Sequence, residues 1–376
     1  MNPRPASTRL RRVLPLVVAL AIGAAAGAGV YAFTNHNNST TTPSAAPLVV
    51  PAQSASSTST VDSLTQIYKQ DAPGVVDITV QLPANAGASS GGFPFSNPGG
   101  SQKAEAEGTG FEINSKGDIL TAEHVVDGAK SIKVTFQDGS TAKATLVGSD
   151  KSTDTAVIHI DVPASKLHPL TLGNSSAVQP GQTVVAIGSP FSLQETMTAG
   201  IVSAVNRTIT APNNFSITGA IQTDAAINHG NSGGPLIDAA TNTVIGINDQ
   251  ILNAGDTNDN AGVGFAVPID ASKSVAETLI AGGTVQHAYV GVRIESVTGG
   301  ARIVKIVSGS PAAKAGLKVG DVITAFDGKT VTSADELTAA VSAAKAGESV
   351  SVTVRSGDTT KHVSLTLGVQ PSSPSS

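Results

Sequence analysis

The sequence predicts a mainly β protein: two packed β-barrels, then a small α+β module, preceded by an N-terminal transmembrane helix. Three observations predict it. Between Gly108 and Pro268, short runs rich in Val, Ile and Thr are punctuated by Gly, Pro, Asn or Asp at the spacing of strands in a sandwich or barrel. There are too many such runs for one small barrel. After Gly283 the punctuation changes, and helix start and stop signals alternate with strands.

The N-terminus comes first. Residues 1–12 are Arg-rich, and residues 13–33, "VLPLVVALAIGAAAGAGVYAF", carry no charge. As a helix at ~1.5 Å per residue this stretch spans about 30 Å, the hydrocarbon thickness of a bilayer. No Lys or Arg follows until Lys69, so the positive-inside rule leaves residues 1–12 cytoplasmic and sends the rest across. A cleaved signal peptide is the competing reading, but the apolar run is long for one and Val30-Tyr31-Ala32 is a poor cleavage site. Residues 34–60 are Ser/Thr/Asn/Pro-rich and read as a flexible tether.

The folded part opens with a short amphipathic helix, Val61 to Gln70, and a strand to Leu82. The Gly/Ser/Pro-rich stretch from Pro83 to Glu107 is a loop within it. Strands follow in "GTGFEIN", "DILTAEHVV", "SIKVTFQ", "TAKATLVG", "TAVIHID", "TVVAIGS", "TAGIVSAV", "AIQTD", "TVIGIND" and "GVGFAVP", and Asp270 to Ala281 is a helix stopped by Gly282-Gly283. This bounds a first domain at 61–283. The module at 284–370 has Ser310, Pro311 and Gly316 as cap, first-turn residue and stop of one helix, and Ser333, Glu336 and Gly347 in those roles for another; residues 371–376 are a tail.

The composition narrows the function. A net charge of -5 and 3% aromatic residues disfavour a nucleic-acid binder. With no cysteine, disulfides, thiol nucleophiles and Cys-based metal sites are excluded, and no cofactor or metal is expected.

"INHGNSGGPLID" sets Ser232 among glycines ahead of a strand. As a nucleophile, a serine needs a base for its proton and N–H donors for the oxyanion. Gly230 can turn its amide inward, so the N–H groups of Gly230 and Ser232 would form the oxyanion hole. Of seven histidines, His36 lies in the tether, His287 and His362 in the module, His159 in a strand pattern and His168 in a turn. His229 is too close in sequence to face Ser232, which leaves His124, placed at the end of a strand. A carboxylate must orient that ring. Asp154, just before "TAVIHI", is the first candidate, with Asp150 and Asp127 as rivals. His124 and Asp154 come from the first barrel and Ser232 from the second, which puts the site in the cleft between them.

With "TAEHVVDG", "DTAVIHI", "AINHGNSGGPLID", "VIGIND" and "GVGFAVPI" in this order, the chain resembles the HtrA/Deg family of trypsin-like, chymotrypsin-fold serine proteases with a C-terminal PDZ domain. The resemblance covers about residues 61–370. It implies an ATP-independent endopeptidase of unfolded, damaged or regulatory extracytoplasmic proteins, with His124 as base, Asp154 as orienting carboxylate and Ser232 as nucleophile. It also implies a homotrimer, held at the membrane by the N-terminal helix. Two features depart from the family: Ala122-Glu123 replaces a usual pair of asparagines, and Ser189 and Ser192 replace common glycines. Asn231 stands where digestive relatives have an aspartate that pairs with a new N-terminus, so activation is expected through the loops at 188–198, 224–230 and 247–260.

By the same resemblance, Ile227 and "GINDQIL" line a shallow apolar substrate pocket suited to Val, Ala or Ile, and Arg207 stands where the family senses activation, a plain surface arginine being the alternative. Tyr289, Val290, Gly291 and Val292 match the loop that holds a peptide's C-terminal carboxylate, the peptide adding as a strand beside "GVRIESV". The alternative is a chaperone or scaffold that binds peptides and cleaves little.

Overall fold

The computed structural model describes residues 60–83, 105–188, 196–213, 215–228, 230–253 and 260–371. The predicted membrane helix, the tether and most of the 83–107 loop lie outside them. Among the described residues no helix is long and apolar enough to cross a membrane.

Helix α1 (Thr60–Asp71) leads through a 3₁₀ turn at Ala72–Gly74 into the first barrel. Its strands are β1 (Val75–Gln81), β2 (Glu105–Glu112), β3 (Asp118–Ala122), β4 (Ser131–Thr135), β5 (Thr141–Asp150) and β6 (Thr155–Ile160). They close in the order β1-β2-β3-β6-β5-β4. Closure leaves no unpaired edge, and Ile78, Ile119, Val134 and Ile158 fill the interior.

The second barrel has β7 (Thr183–Gly188), β8 (Thr196–Thr210), β9 (Ser216–Thr223), β10 (Pro235–Asp238), β11 (Thr243–Asn253) and β12 (Asn260–Pro268). They close as β10-β11-β12-β9-β8-β7, in the same antiparallel pattern.

The sequence reading carried the strand "DILTAEHVV" through His124. In the structure β3 stops at Ala122, and His124 sits in a one-turn helix, α2 (Glu123–Val126). The physical reason is a distant partner: the N–H groups of Glu123 and His124 turn away from the sheet to the carbonyl and Oδ1 of Asp154.

Helix α3 (Ile269–Ile280) follows β12 and returns to the first barrel. Its Leu279 lies over Gly148, where a Cβ would come within 2.8 Å of it, and Ser272 Oγ is 3.0 Å from Thr155 Oγ1. The helix thereby fastens one barrel to the other.

The C-terminal module holds β13 (Ala288–Tyr289), β14 (Val292–Val297), β15 (Gly300–Ile306), α4 (Pro311–Lys314), β16 (Val322–Phe326), β17 (Lys329–Thr330), α5 (Ala334–Ser342), β18 (Ser349–Ser356), β19 (Thr359–Thr366) and β20 (Gly368–Val369). The main sheet runs β14-β15-β16-β18-β19, and β13 pairs with β20. Ser310 and Ser333 cap α4 and α5 as expected, their hydroxyls accepting from Ala313 and Glu336 N–H. Helix α5 ends at Ser342, earlier than the predicted stop at Gly347.

The module rests on the first domain. His287 Nε2 lies 2.8 Å from Asp150 Oδ2, and Ser152 Oγ donates to Gln370 Oε1 at 3.3 Å.

Candidate active site

The site is built at the seam of the barrels. The turn before β6 is drawn tight by Asp150, whose Oδ2 accepts from Thr153 N–H at 3.1 Å and from its hydroxyl at 2.5 Å. Asp154 follows with φ 47, in the left-handed region that Asp and Asn tolerate better than other side-chain-bearing residues. That backbone sends its carboxylate under α2. Oδ1 accepts from the His124 N–H at 2.9 Å, and Oδ2 lies 2.6 Å from Nδ1. A carboxylate only accepts, so Nδ1 carries the proton and Nε2 is the basic nitrogen.

The rival carboxylates are engaged elsewhere. Asp150 holds Thr153 and His287, and Asp127 pairs with Lys151 Nζ at 3.0 Å.

From the second barrel comes the turn bearing Ser232. Gly230 has φ 99 and Gly233 φ 87. A Cβ at Gly233 would fall 2.2 Å from the Thr109 carbonyl, so the close approach of the barrels requires glycine there. Thr109 on β2 clasps the turn, donating its N–H to the Ser232 carbonyl at 2.8 Å and its hydroxyl to the Gly230 carbonyl at 2.5 Å. The Ser232 hydroxyl donates to the Asp249 carbonyl at 2.9 Å.

Sequence reasoning put Asp249, within "GINDQIL", on the wall of the substrate pocket and missed its place beside the His124 ring. It is 1% exposed, and its Oδ1 lies 3.8 Å from His124 Nδ1. Strand β11 is irregular between Asn248 and Gln250, and both Asn248 and Asp249 are buried, against strict strand alternation. Thr109 was missed as well, being one more Thr in a strand.

Burial works against a charged His124 ring. The Asp154 charge and hydrogen bond outweigh it, and with Asp249 and Glu123 push the ring up to about 9. Burial likewise opposes ionised Asp154, yet His124 holds its carboxyl below the usual range. Burial and then the Asp154 charge drive Asp249 well above it.

Ile227, expected in the substrate pocket, is 1% exposed and packs its side chain against Gly264 in the second barrel's core. Arg207 Nε donates to Gln222 at 3.1 Å. His229, Ser189 and Ser192 lie outside the described residues.

In the C-terminal module, Tyr289, Val290, Gly291 and Val292 border a groove of about 270 Å³, with Leu337 and Val341 of α5 opposite and Phe215 and Ser216 of the second barrel at its margin. Gly291 has φ 81, and a Cβ there would strike Ser310 at 2.2 Å.

Residues 108–247 match the trypsin-like peptidase domain and residues 288–367 the PDZ domain. The serine protease PepD of Mycobacterium tuberculosis is 36% identical over 389 aligned positions, covering 98% of this chain and 79% of that protein.

The chain belongs to the HtrA family of serine endopeptidases.

A probable periplasmic DegP-like serine endoprotease of Halomonas elongata is 40% identical over 293 residues, 75% of this chain. The match spans 60% of that relative's length. Among solved structures, the HtrA-type protease AlgW with decapeptide superposes with a TM-score of 0.66 at 31% identity, over 82% of this chain and 98% of AlgW. The serine endoprotease from Yersinia pestis gives 0.60 at 31% identity. The HtrA pairing of a trypsin-like domain with a PDZ domain accounts for both the seam and the groove.

Proposed function

We propose that this protein is an ATP-independent endopeptidase of unfolded, damaged or regulatory extracytoplasmic proteins, using His124, Asp154 and Ser232. The observation that carries the reading is the 2.6 Å contact between His124 Nδ1 and Asp154 Oδ2 at the barrel seam, beside the glycine-framed Ser232 turn. Ser232 attacks the scissile carbonyl as its proton passes to His124 Nε2. Asp154 holds Nδ1–H and stabilises the imidazolium. The N–H groups of Gly230 and Ser232 receive the oxyanion, each worth roughly 100- to 1000-fold in rate. His124 then protonates the leaving amine, and water releases the acyl group. In the resting geometry the Ser232 hydroxyl is given to the Asp249 carbonyl, so a rotation of its side chain precedes attack.

The bordering residues Tyr289 to Val292 suit the groove to a C-terminal carboxylate, with the peptide adding beside β14. The expected cleavage is after Val, Ala or Ile. Periplasmic relatives and the uncharged run at 13–33 support an anchored, extracytoplasmic enzyme, and the family's trimer is the expected assembly.

The deciding test is labelling of the ectodomain by a fluorophosphonate probe, followed by casein degradation with and without C-terminal peptides. Labelling of the wild type and not of Ser232→Ala is expected. An unlabelled wild type would leave the chaperone or scaffold reading.

A further inference from the structure

Asp249 has no side-chain part in the scheme above, yet its carboxylate is enclosed at the seam with 1% exposure. The irregularity of β11 between Asn248 and Gln250 carries it inward. One side-chain atom each of His124, Asp154 and Asp249 lie within 4.8 Å of one another. As an anion, Asp249 would have no hydrogen bond at either oxygen. Two bare carboxylates this close in a dry site repel strongly, and a single shared proton is the usual resolution. The two side chains lie within hydrogen-bonding reach once one of them carries it.

We infer that Asp249 is a positioning residue of the triad that works as a neutral carboxylic acid, donating its O–H to the Asp154 carboxylate and leaving His124 neutral. This rests on the protease reading above. Asp154 then takes three donors: His124 N–H, His124 Nδ1–H and the Asp249 acid. Among the described residues, the other charged group acting on the ring is Glu123 on α2, itself held by Lys151 Nζ at 3.6 Å and by Asn213 at 3.3 Å.

The same proton has two possible homes. It sits on Asp249 beside a neutral ring, or on the ring beside two carboxylates. Only the first leaves Nε2 able to accept the Ser232 proton. Burial of Asp249 beside Asp154, which lifts it well above the carboxylate range, favours the first. With Asp154 and then Asp249 both charged beside it, a ring pushed up to about 9 would keep its proton and be a poor base at neutral pH.

The test compares wild type, Asp249→Asn and Asp249→Ala across pH. Asparagine is neutral, of similar shape, and keeps a donor. Expected are an acid-limb midpoint of kcat/KM that Asp249→Asn leaves in place, and loss of the alkaline limb caused by Asp249 ionisation. Asp249→Ala should lower kcat about tenfold at similar KM, the loss of one buried hydrogen bond, and Asp249→Asn should restore most of it. A downward move of the acid limb by about one pH unit or more in Asp249→Asn would show that Asp249 acts as an anion and overturn the inference. So would an asparagine variant no better than alanine. Infrared difference spectroscopy in the Ser232→Ala background reads the proton without turnover. A buried carboxylic acid band present with Asp249 and lost in Asp249→Asn is expected; no such band overturns the inference. A wild type that fluorophosphonate fails to label strikes the protease reading instead, while the infrared band remains readable.

Discussion

On the first-barrel side of the seam, His124 and Asp154 are locked together by backbone and side-chain hydrogen bonds of 2.9 and 2.6 Å, over a turn drawn tight by Asp150. On the second-barrel side, the Ser232 hydroxyl is given to the Asp249 carbonyl, and its turn is held from across the seam by Thr109. The proposed base and its orienting acid are therefore tied into the fold, whereas the proposed nucleophile is parked on a main-chain acceptor. On the proposed mechanism, control of activity has more purchase on the second barrel, where a small rotation of the Ser232 side chain would separate rest from attack.

Ser232→Ala breaks the comparison most severely. Hydrolysis should fall by about 10⁶-fold with peptide binding at the PDZ groove retained, as read by casein turnover and fluorescence anisotropy. Asp154→Asn should lower kcat about 10⁴-fold by stabilising the wrong ring tautomer, with KM and thermal stability little changed.

Thr109→Val sharpens the contrast, because it leaves His124 and Asp154 alone and removes a donor from the Gly230 carbonyl. A loss of about tenfold in kcat is expected from one buried hydrogen bond, with normal titration of the His124 ring by NMR. Equal damage to that titration would show that the two halves are not separable.

The smallest effect is on stability. Burial pushes Glu112 from 4.5 up to about 7, opposed in part by the His168 N–H. A carboxyl raised on folding stabilises below its unfolded value and loses that contribution as pH rises through its folded one. Tm should therefore fall by a few degrees from about pH 5 to 8, and Glu112→Gln should flatten the slope without touching catalysis. Asp71 and Asp77, raised by burial to about 6, add to the same trend.

Much of this arrangement was legible in the residues. Strand spacing foretold the barrels, and the glycines around Ser232 foretold a tight turn, because steric needs of the backbone are written in residue type. Ser310 and Ser333 marked their helices for the same reason. What stayed hidden depends on register. Nothing in "GINDQIL" says that β11 is irregular at Asp249, so alternation cannot assign its face. The double duty of Asp150, toward Thr153 and toward His287, joins residues 137 apart that no local pattern relates. His124 was placed on a strand because the bonds that end β3 come from Asp154, a partner 30 residues away.

The left-handed backbone at Asp154 bears on how inactive decoys of this enzyme are chosen. Alanine or glutamate there would alter chain geometry and chemistry together, so a trap for bound substrates made that way reports on a distorted cleft. Asparagine tolerates the same torsion and keeps the silhouette, which makes it the cleaner bait for capturing what the protein holds.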